Sequence, residues 1–195
     1  MGRSSGIPDR WTNYSCFGGI IPGTPFFAFK VPLFDRLCSS LPRSAWFTPR
    51  DLLENVCGLG LIIDLTCTTR YYDPRVMLDN GIYHRKIACA GQRIPSCTVV
   101  SEFFDAVDWF LQDPRNYGLL IGVHCTHGVN RTGYLICRYM IERMGVPPAI
   151  AVREFQESRG HMFDRQEYVQ DLHRIPSHPT SSPLNACVGS SSSLT

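Results

Sequence analysis

Lysine is nearly missing from this chain: of 195 residues only Lys30 and Lys86 are lysine, against 17 arginines. That leaves no polybasic membrane tether and no lysine-type nuclear signal. Neither lysine sits in a Gly-x-x-x-x-Gly-Lys setting, which excludes a Walker-type phosphate loop. The formal charge of +2 is too small for duplex nucleic acid gripped by bulk charge. No apolar run approaches about 18 residues, so no membrane span is expected. Met1 to Gly6 lack both the apolar stretch of a secretory signal and the Ser or Thr that a myristoylation signal wants at position 6. The nine cysteines form no Cys-x-x-Cys pair, which argues against zinc and dithiol redox sites. The expectation is a reducing compartment in which most of these thiols fill core space. Six scattered glutamates give no carboxylate cluster of the kind that holds a catalytic metal ion, so no metal cofactor is expected.

With 44% hydrophobic residues, what is present suffices for one globular domain. Pro176 to Thr195 carry no charged side chain and are rich in Ser and Pro, so residues 8–175 read as the working domain and 176–195 as a flexible tail. Short apolar runs at Phe26–Val31, Leu61–Leu65, Ile82–Ala88 and Leu119–His124 read as strands. Helical spacing marks Thr48–Gly58, Val99–Leu111, Thr132–Met144, Pro147–Ser158 and Asp164–Arg174, the last opened by Asp164 and Glu167 as a capping box. Trp46 and Trp109 read as core. Strands alternating with helices predict an α/β domain with a central, mostly parallel sheet flanked by helices, binding its ligand beyond the carboxyl ends of the strands.

At one such strand end stands His124-Cys125-Thr126-His127-Gly128-Val129-Asn130-Arg131-Thr132-Gly133. A Cys, five residues and an Arg form weak evidence alone; chance predicts about one such pair here, and Cys137 with Arg143 is a second. That second pair lies inside a predicted helix with no Gly between its ends. The first joins a strand to a helix. Gly128 lets the loop turn its backbone N–H groups inward, and the next helix aims its positive end at the same point. Such a cradle binds anions and lowers a thiol pKa, so Cys125 is expected to be a thiolate at neutral pH. Arg131 offers a planar fork for two phosphoryl oxygens, and Thr132 is placed to hydrogen-bond the sulfur.

These residues resemble the signature of cysteine-dependent phosphatases of the protein-tyrosine and dual-specificity superfamily, in the form carried by its RNA 5′-triphosphatase branch. Asp9-Arg-Trp11, Pro22-Gly-Thr24, Ala28–Leu33, Gly60–Thr66, Arg70–Tyr72, Tyr134–Tyr139, Arg159-Gly-His161 and Arg165-Gln166 extend the resemblance over roughly residues 9–175. It implies a protein-tyrosine/dual-specificity phosphatase-like fold and metal-independent removal of RNA 5′ phosphates through a phosphocysteine. It further implies single-stranded, triphosphorylated RNA 5′ ends and ribonucleoprotein or splicing-associated proteins as partners, a monomeric state, and a nuclear location with the cytoplasm as the other setting.

Relatives that act on phosphotyrosine carry an Asp general acid on a loop that corresponds here to Ile87–Cys97. No carboxylate lies between Asp79 and Glu102. An alkoxide or phenolate, with a conjugate-acid pKa of about 10 or more, leaves slowly without a proton; a diphosphate needs none. The gap therefore favours a phosphoanhydride substrate, unless Asp73 or Asp164 enters from another loop. Cys125 would attack the terminal phosphorus while the loop N–H groups and Arg131 stabilise the developing charge, and Thr132 would assist departure of the sulfur. Thr126, His127, Gly128, Val129 and Asn130 are expected around the phosphate, with Arg70, Arg93 and Arg165 on the remaining phosphates and Lys30 and Lys86 as weaker candidates. His124 and Asp64 are supporting residues, Asp64 orienting nearby backbone or a basic side chain. A dual-specificity protein phosphatase, or a non-catalytic module for phosphorylated RNA or protein, would use the same loop.

Overall fold

Alternate residues of the central strands face opposite layers. Leu61, Ile63, Ile121, Val123, Phe26 and Ala28 enter one apolar cluster, whereas Ile62, Phe27 and Phe29 enter the other. A two-residue period of this kind, apolar on both faces, is the mark of a sheet covered on both sides. The computed structural model describes residues 6–176. Its sheet has five strands: β1 (Phe17–Ile20), β2 (Phe26–Phe29), β3 (Leu59–Asp64), β4 (Tyr83–Lys86) and β5 (Leu120–His124), in the order β1-β2-β5-β3-β4. All neighbours are parallel except β1 with β2. The predicted α/β fold class is the observed one.

The helices are α1 (Asp35–Cys38), α2 (Pro49–Asn55), α3 (Arg75–Leu78), α4 (Cys97–Gln112), α5 (Asn130–Glu142), α6 (Pro148–Arg159) and α7 (Gln166–His173). Thr48 caps α2 in a capping box with Asp51, and Pro49 takes the first helical position. α4 to α7 supply the larger cluster. The buried indole of Trp11, together with Phe47 and α2, lies in the other.

Several expectations are corrected. β1 and the one-turn α1 and α3 are additions; β1 holds two glycines and is half exposed, so it shows no apolar run. α7 has no capping box: Arg165 is its N-cap residue without a side-chain cap, and the Asp164 carboxylate bonds elsewhere. Trp109 is 56% exposed, on the outer side of α4, and Trp46 is half-buried, so neither is central core. Of the eight described cysteines only Cys38, Cys89, Cys125 and Cys137 are buried, fewer than expected, while Cys57, Cys67 and Cys97 are exposed. The tail beyond Pro176, with Cys187, lies outside the described residues. No helix in the described residues is long and apolar enough to cross a membrane.

Register decides where chemistry can occur. Phe29, His124, Asp64 and Lys86 pair across β2, β5, β3 and β4 as one row at the carboxyl edge. Every loop beyond that row opens on the same side.

Candidate active site

Cys125 follows β5 directly, and five residues later the chain is already in α5. Gly128 makes that reversal possible with φ of +68°, and a methyl group there would run into the Phe29 carbonyl at the end of β2. Val129, at the helix N-cap, is fully buried. The loop thus wraps the sulfur in backbone N–H groups at the positive end of a 13-residue helix.

The thiol of Cys125 is 3% exposed. Burial alone would raise its pKa; the Arg131 guanidinium, the Thr132 hydroxyl and the N–H groups of Thr132 and Gly128 outweigh it and hold the thiol below its ordinary value. The Thr132 hydroxyl is buried and has no other partner of good geometry among the described residues, so the sulfur is the group it serves. Cys137 is the opposite case. It is fully buried in α5, donates to the Ala151 carbonyl at 3.4 Å, and burial pushes its thiol upward.

Arg131 is fixed by its own scaffold. Its guanidinium donates to the carbonyls of Cys89 at 2.8 Å and Leu65 at 3.3 Å and to Thr126 Oγ1 at 2.9 Å. Behind the loop lies Arg159, 1% exposed, donating to the carbonyls of Gly128 and His127 at 3.0 Å each and to Ser15 O at 2.8 Å and Oγ at 2.6 Å. Burial lowers it to about 10, so it stays cationic and adds to the field at the sulfur.

On the sheet side, burial keeps His124 neutral. The consistent assignment has Nδ1–H donating to the Cys125 carbonyl (3.1 Å), Nε2 accepting from Tyr72 OH (2.8 Å), and His84 Nε2–H donating to the Tyr72 oxygen (2.8 Å). Burial opposes ionisation of Asp64, but the Lys86 ammonium and the Thr66 N–H outweigh it and hold the carboxyl below its ordinary value. Its carboxylate accepts from Lys86 Nζ at 2.8 Å and from Thr66 N and Oγ1 at 2.8 Å each. Asp64 therefore holds the Thr66 backbone N–H and the Lys86 ammonium, and Lys86 is consumed in doing so. Lys30 is corrected as a phosphate ligand: it is 3% exposed, lies 3.6 Å over the Trp11 ring and donates to Tyr14 O at 2.9 Å.

Above the sulfur opens a cavity of about 410 Å³. Of the residues expected around the phosphate, Cys125, Thr126, His127, Asn130, Arg131, Arg70 and Arg165 line it, whereas Gly128 and Val129 do not. Arg93 does not: it is exposed, and its backbone carbonyl accepts from Tyr168 OH at 2.7 Å. Asp73 is also outside, paired with Arg75 at 2.6 Å. His127 serves as an anchor, Nε2–H donating to the Asp9 carbonyl at 2.8 Å and the ring stacking on Tyr14 at 4.5 Å. Asn130 is a clasp: its Oδ1 accepts from the N–H of Asp164 (3.0 Å) and Arg165 (3.2 Å), and its Nδ2 donates to the Asp164 carboxylate (3.0 Å).

Sequence reasoning assigned no role to Asp9, Arg10, Tyr14, Gln92, Arg159 or Tyr168, all of which line the cavity or hold its loop. Asp9-Arg-Trp11 and Arg159-Gly-His161 were marked only as stretches of resemblance. A second signal exists in the backbone: Arg10 (φ 53°) and Gln92 (φ 63°), the two described non-glycine residues with positive φ, both stand at this cavity.

Comparison with known proteins gives the family. The family model described as "Dual specificity phosphatase, catalytic domain" matches residues 50–176. The human RNA/RNP complex-1-interacting phosphatase is 45% identical over 174 residues, 87% of this chain and 52% of its own length, so the chain spans about half of that relative. A tyrosine-protein phosphatase of Autographa californica nuclear polyhedrosis virus is 41% identical over 168 residues, 85% of this chain and 98% of its own. Among solved structures, a kinase-associated phosphatase superposes with a TM-score of 0.57 at 18% identity, over 76% of this chain and 82% of that one, a likeness of fold.

Proposed function

This chain belongs to the dual-specificity phosphatase family, and from that premise we propose that it removes terminal phosphates from 5′-triphosphorylated RNA through a phosphocysteine on Cys125. The observation that carries this reading is the make-up of the cavity. Arg10, Arg70, Arg131 and Arg165 line it, while the adjoining 87–97 stretch offers no carboxylate to protonate a leaving oxygen. A site rich in positive charge, with no acid on that stretch and with the Asp164 carboxylate on its wall engaged by Tyr14 and Asn130, suits a leaving group that is itself a stable anion.

The thiolate of Cys125 attacks the terminal phosphorus in line, and the loop N–H groups with the Arg131 fork take up the charge that develops on the equatorial oxygens. Arg70, Arg165 and Arg10 hold the departing phosphates. RNA with a shortened 5′ end leaves, and water then cleaves the phosphorus–sulfur bond while Thr132 stabilises the returning thiolate. Support from relatives is the similarity to the RNA/RNP complex-1-interacting phosphatase, whose name ties that protein to RNA. Ribonucleoprotein or splicing-associated proteins as partners, a nuclear setting and a monomeric state belong to the same proposal.

A second reading, a protein phosphatase acting on phosphotyrosine and phosphoserine or phosphothreonine, is favoured by the viral relative, whose whole length is matched and whose name is tyrosine-protein phosphatase. Phosphate release from 5′-triphosphate RNA and from a phosphotyrosine peptide, for wild type and Cys125→Ser, separates the two. RNA is expected to turn over faster, with the variant inactive on both. Faster turnover of the peptide would overturn the RNA reading, and equal negligible turnover by wild type and variant would leave a binding module.

A further inference from the structure

Breaking a phosphocysteine makes a demand that forming it does not. A polyphosphate departs without a proton, but the second half-reaction consumes water, a weak nucleophile until a base takes its proton. With the 87–97 stretch empty of carboxylates, that base has to come from elsewhere on the wall.

Two described carboxylates line the cavity, Asp9 and Asp164. They are held very differently. Tyr14 OH donates to both oxygens of Asp164 (3.1 and 3.0 Å), and Asn130 Nδ2 donates to Oδ2 (3.0 Å). Asn130 is the first residue of α5, directly behind the loop that carries the sulfur, so the carboxylate is tied to the nucleophile's own scaffold. Tyr14 in turn stacks on His127 of that loop. A carboxylate has about four acceptor positions; two donors, the Tyr14 hydroxyl shared between both oxygens and the Asn130 amide, engage it, which leaves room for a water. Asp9 reaches the loop only through its backbone carbonyl, on His127.

We propose that Asp164 is the catalytic base of the dephosphorylation step, an assignment that rests on Cys125 forming a phosphocysteine. Asp164 takes a proton from a water in the cavity as the water oxygen bonds to phosphorus. The phosphorus–sulfur bond breaks with its electron pair returning to Cys125, orthophosphate leaves, and Asp164 gives its proton to solvent. Labour is thereby divided: the first half-reaction runs without an acid, and the second has its base on the Asn130 clasp.

The test is pre-steady-state turnover by wild type, Asp164→Asn and Asp9→Asn on two substrates, 5′-triphosphate RNA and 4-nitrophenyl phosphate, with intact-mass detection of phosphoenzyme. Asn keeps both acceptor contacts of Asp164 through its amide oxygen and removes only the basicity. Asp164→Asn is expected to give a first turnover at the wild-type rate, a steady state slower by about 10²-fold, a lower KM, and a phosphate adduct that disappears in the Cys125→Ser double variant. Tyr14→Phe, which loosens the carboxylate without removing it, should accumulate less adduct than Asp164→Asn and more than wild type. Loss of the burst together with the steady state, unchanged kinetics, or adduct in Asp9→Asn instead would each overturn the assignment. A burst with 4-nitrophenyl phosphate in a protein that ignores RNA would uphold Asp164 and defeat the RNA reading, so the two fail separately.

Discussion

Cys125 and Cys137 stand at the head of the same Cys-x5-Arg spacing, and their environments drive them in opposite directions. Both are buried; the difference is what faces the sulfur. Cys125 meets a guanidinium, a hydroxyl and inward N–H groups, whereas Cys137 meets a carbonyl oxygen. Because the Cys125 thiol is depressed in the folded chain and the proposed reagent is the thiolate, activity is expected to rise as pH climbs through that lowered value and to be level above it. The acid limb of kcat/KM is therefore expected below the thiol's ordinary range. Thr132→Val should move that limb to higher pH and reduce kcat. The same change removes a buried hydroxyl with no other partner, so the thermal midpoint should hold or rise. A pH–rate series and a melting curve on one preparation check both, and a fall in the midpoint without a shift of the limb would contradict the account.

The strand–loop–helix element from β5 to α5 works because several others brace it. Phe29 at the end of β2 leaves no room for a side chain at Gly128, and Arg159 at the end of α6 ties down two of the loop's carbonyls. Gly128→Ala adds strain at a positive φ to an overlap with backbone that cannot rotate away. It is expected to destabilise the fold by about 2 kcal/mol or more and to reduce kcat by at least about 10²-fold, measured by urea unfolding and turnover. Another element-level expectation concerns His84, which burial lowers to about 4 from an ordinary 6.5. The unfolded chain binds its proton first, so stability falls as pH drops from 6.5 toward 4. Allowing for solvent screening of a partly exposed ring, the loss is on the order of 2 kcal/mol. His84→Gln should flatten that slope while keeping a partner for Tyr72.

For the molecule as a whole, the family model begins at residue 50, yet the site does not. β2 lies beside β5 in the middle of the sheet, Trp11 fills one core layer, and Asp9, Arg10 and Tyr14 reach the cavity or its carboxylate. A chain of residues 50–176 is therefore expected to lose the cooperative unfolding transition. A chain of residues 8–175, which keeps the sheet and the cavity wall, should keep the wild-type melting midpoint and turnover. Circular dichroism melts and turnover on the two fragments decide it.

The sequence by itself determined the α/β class and singled out Cys125 as the candidate nucleophile. Strands of period two and helices of period 3.6 are local patterns, and Cys125, Gly128, Arg131 and Thr132 sit within eight contiguous residues whose strand–turn–helix context can be read along the chain. Helix α7 shows the limit of local reading: Asp164 looked like a cap and is instead pulled across to Asn130 and Tyr14. Only the tertiary structure brought Tyr14 to Asp164, Ser15 to Arg159 and Arg131 to the Cys89 carbonyl, contacts between residues 150, 144 and 42 positions apart. It also withdrew Lys30, Lys86 and Arg93 from the phosphate. The reason is physical: the character of a charged side chain is set by its nearest partners, and a chain folded around a parallel sheet recruits those partners from loops that sequence order keeps far apart.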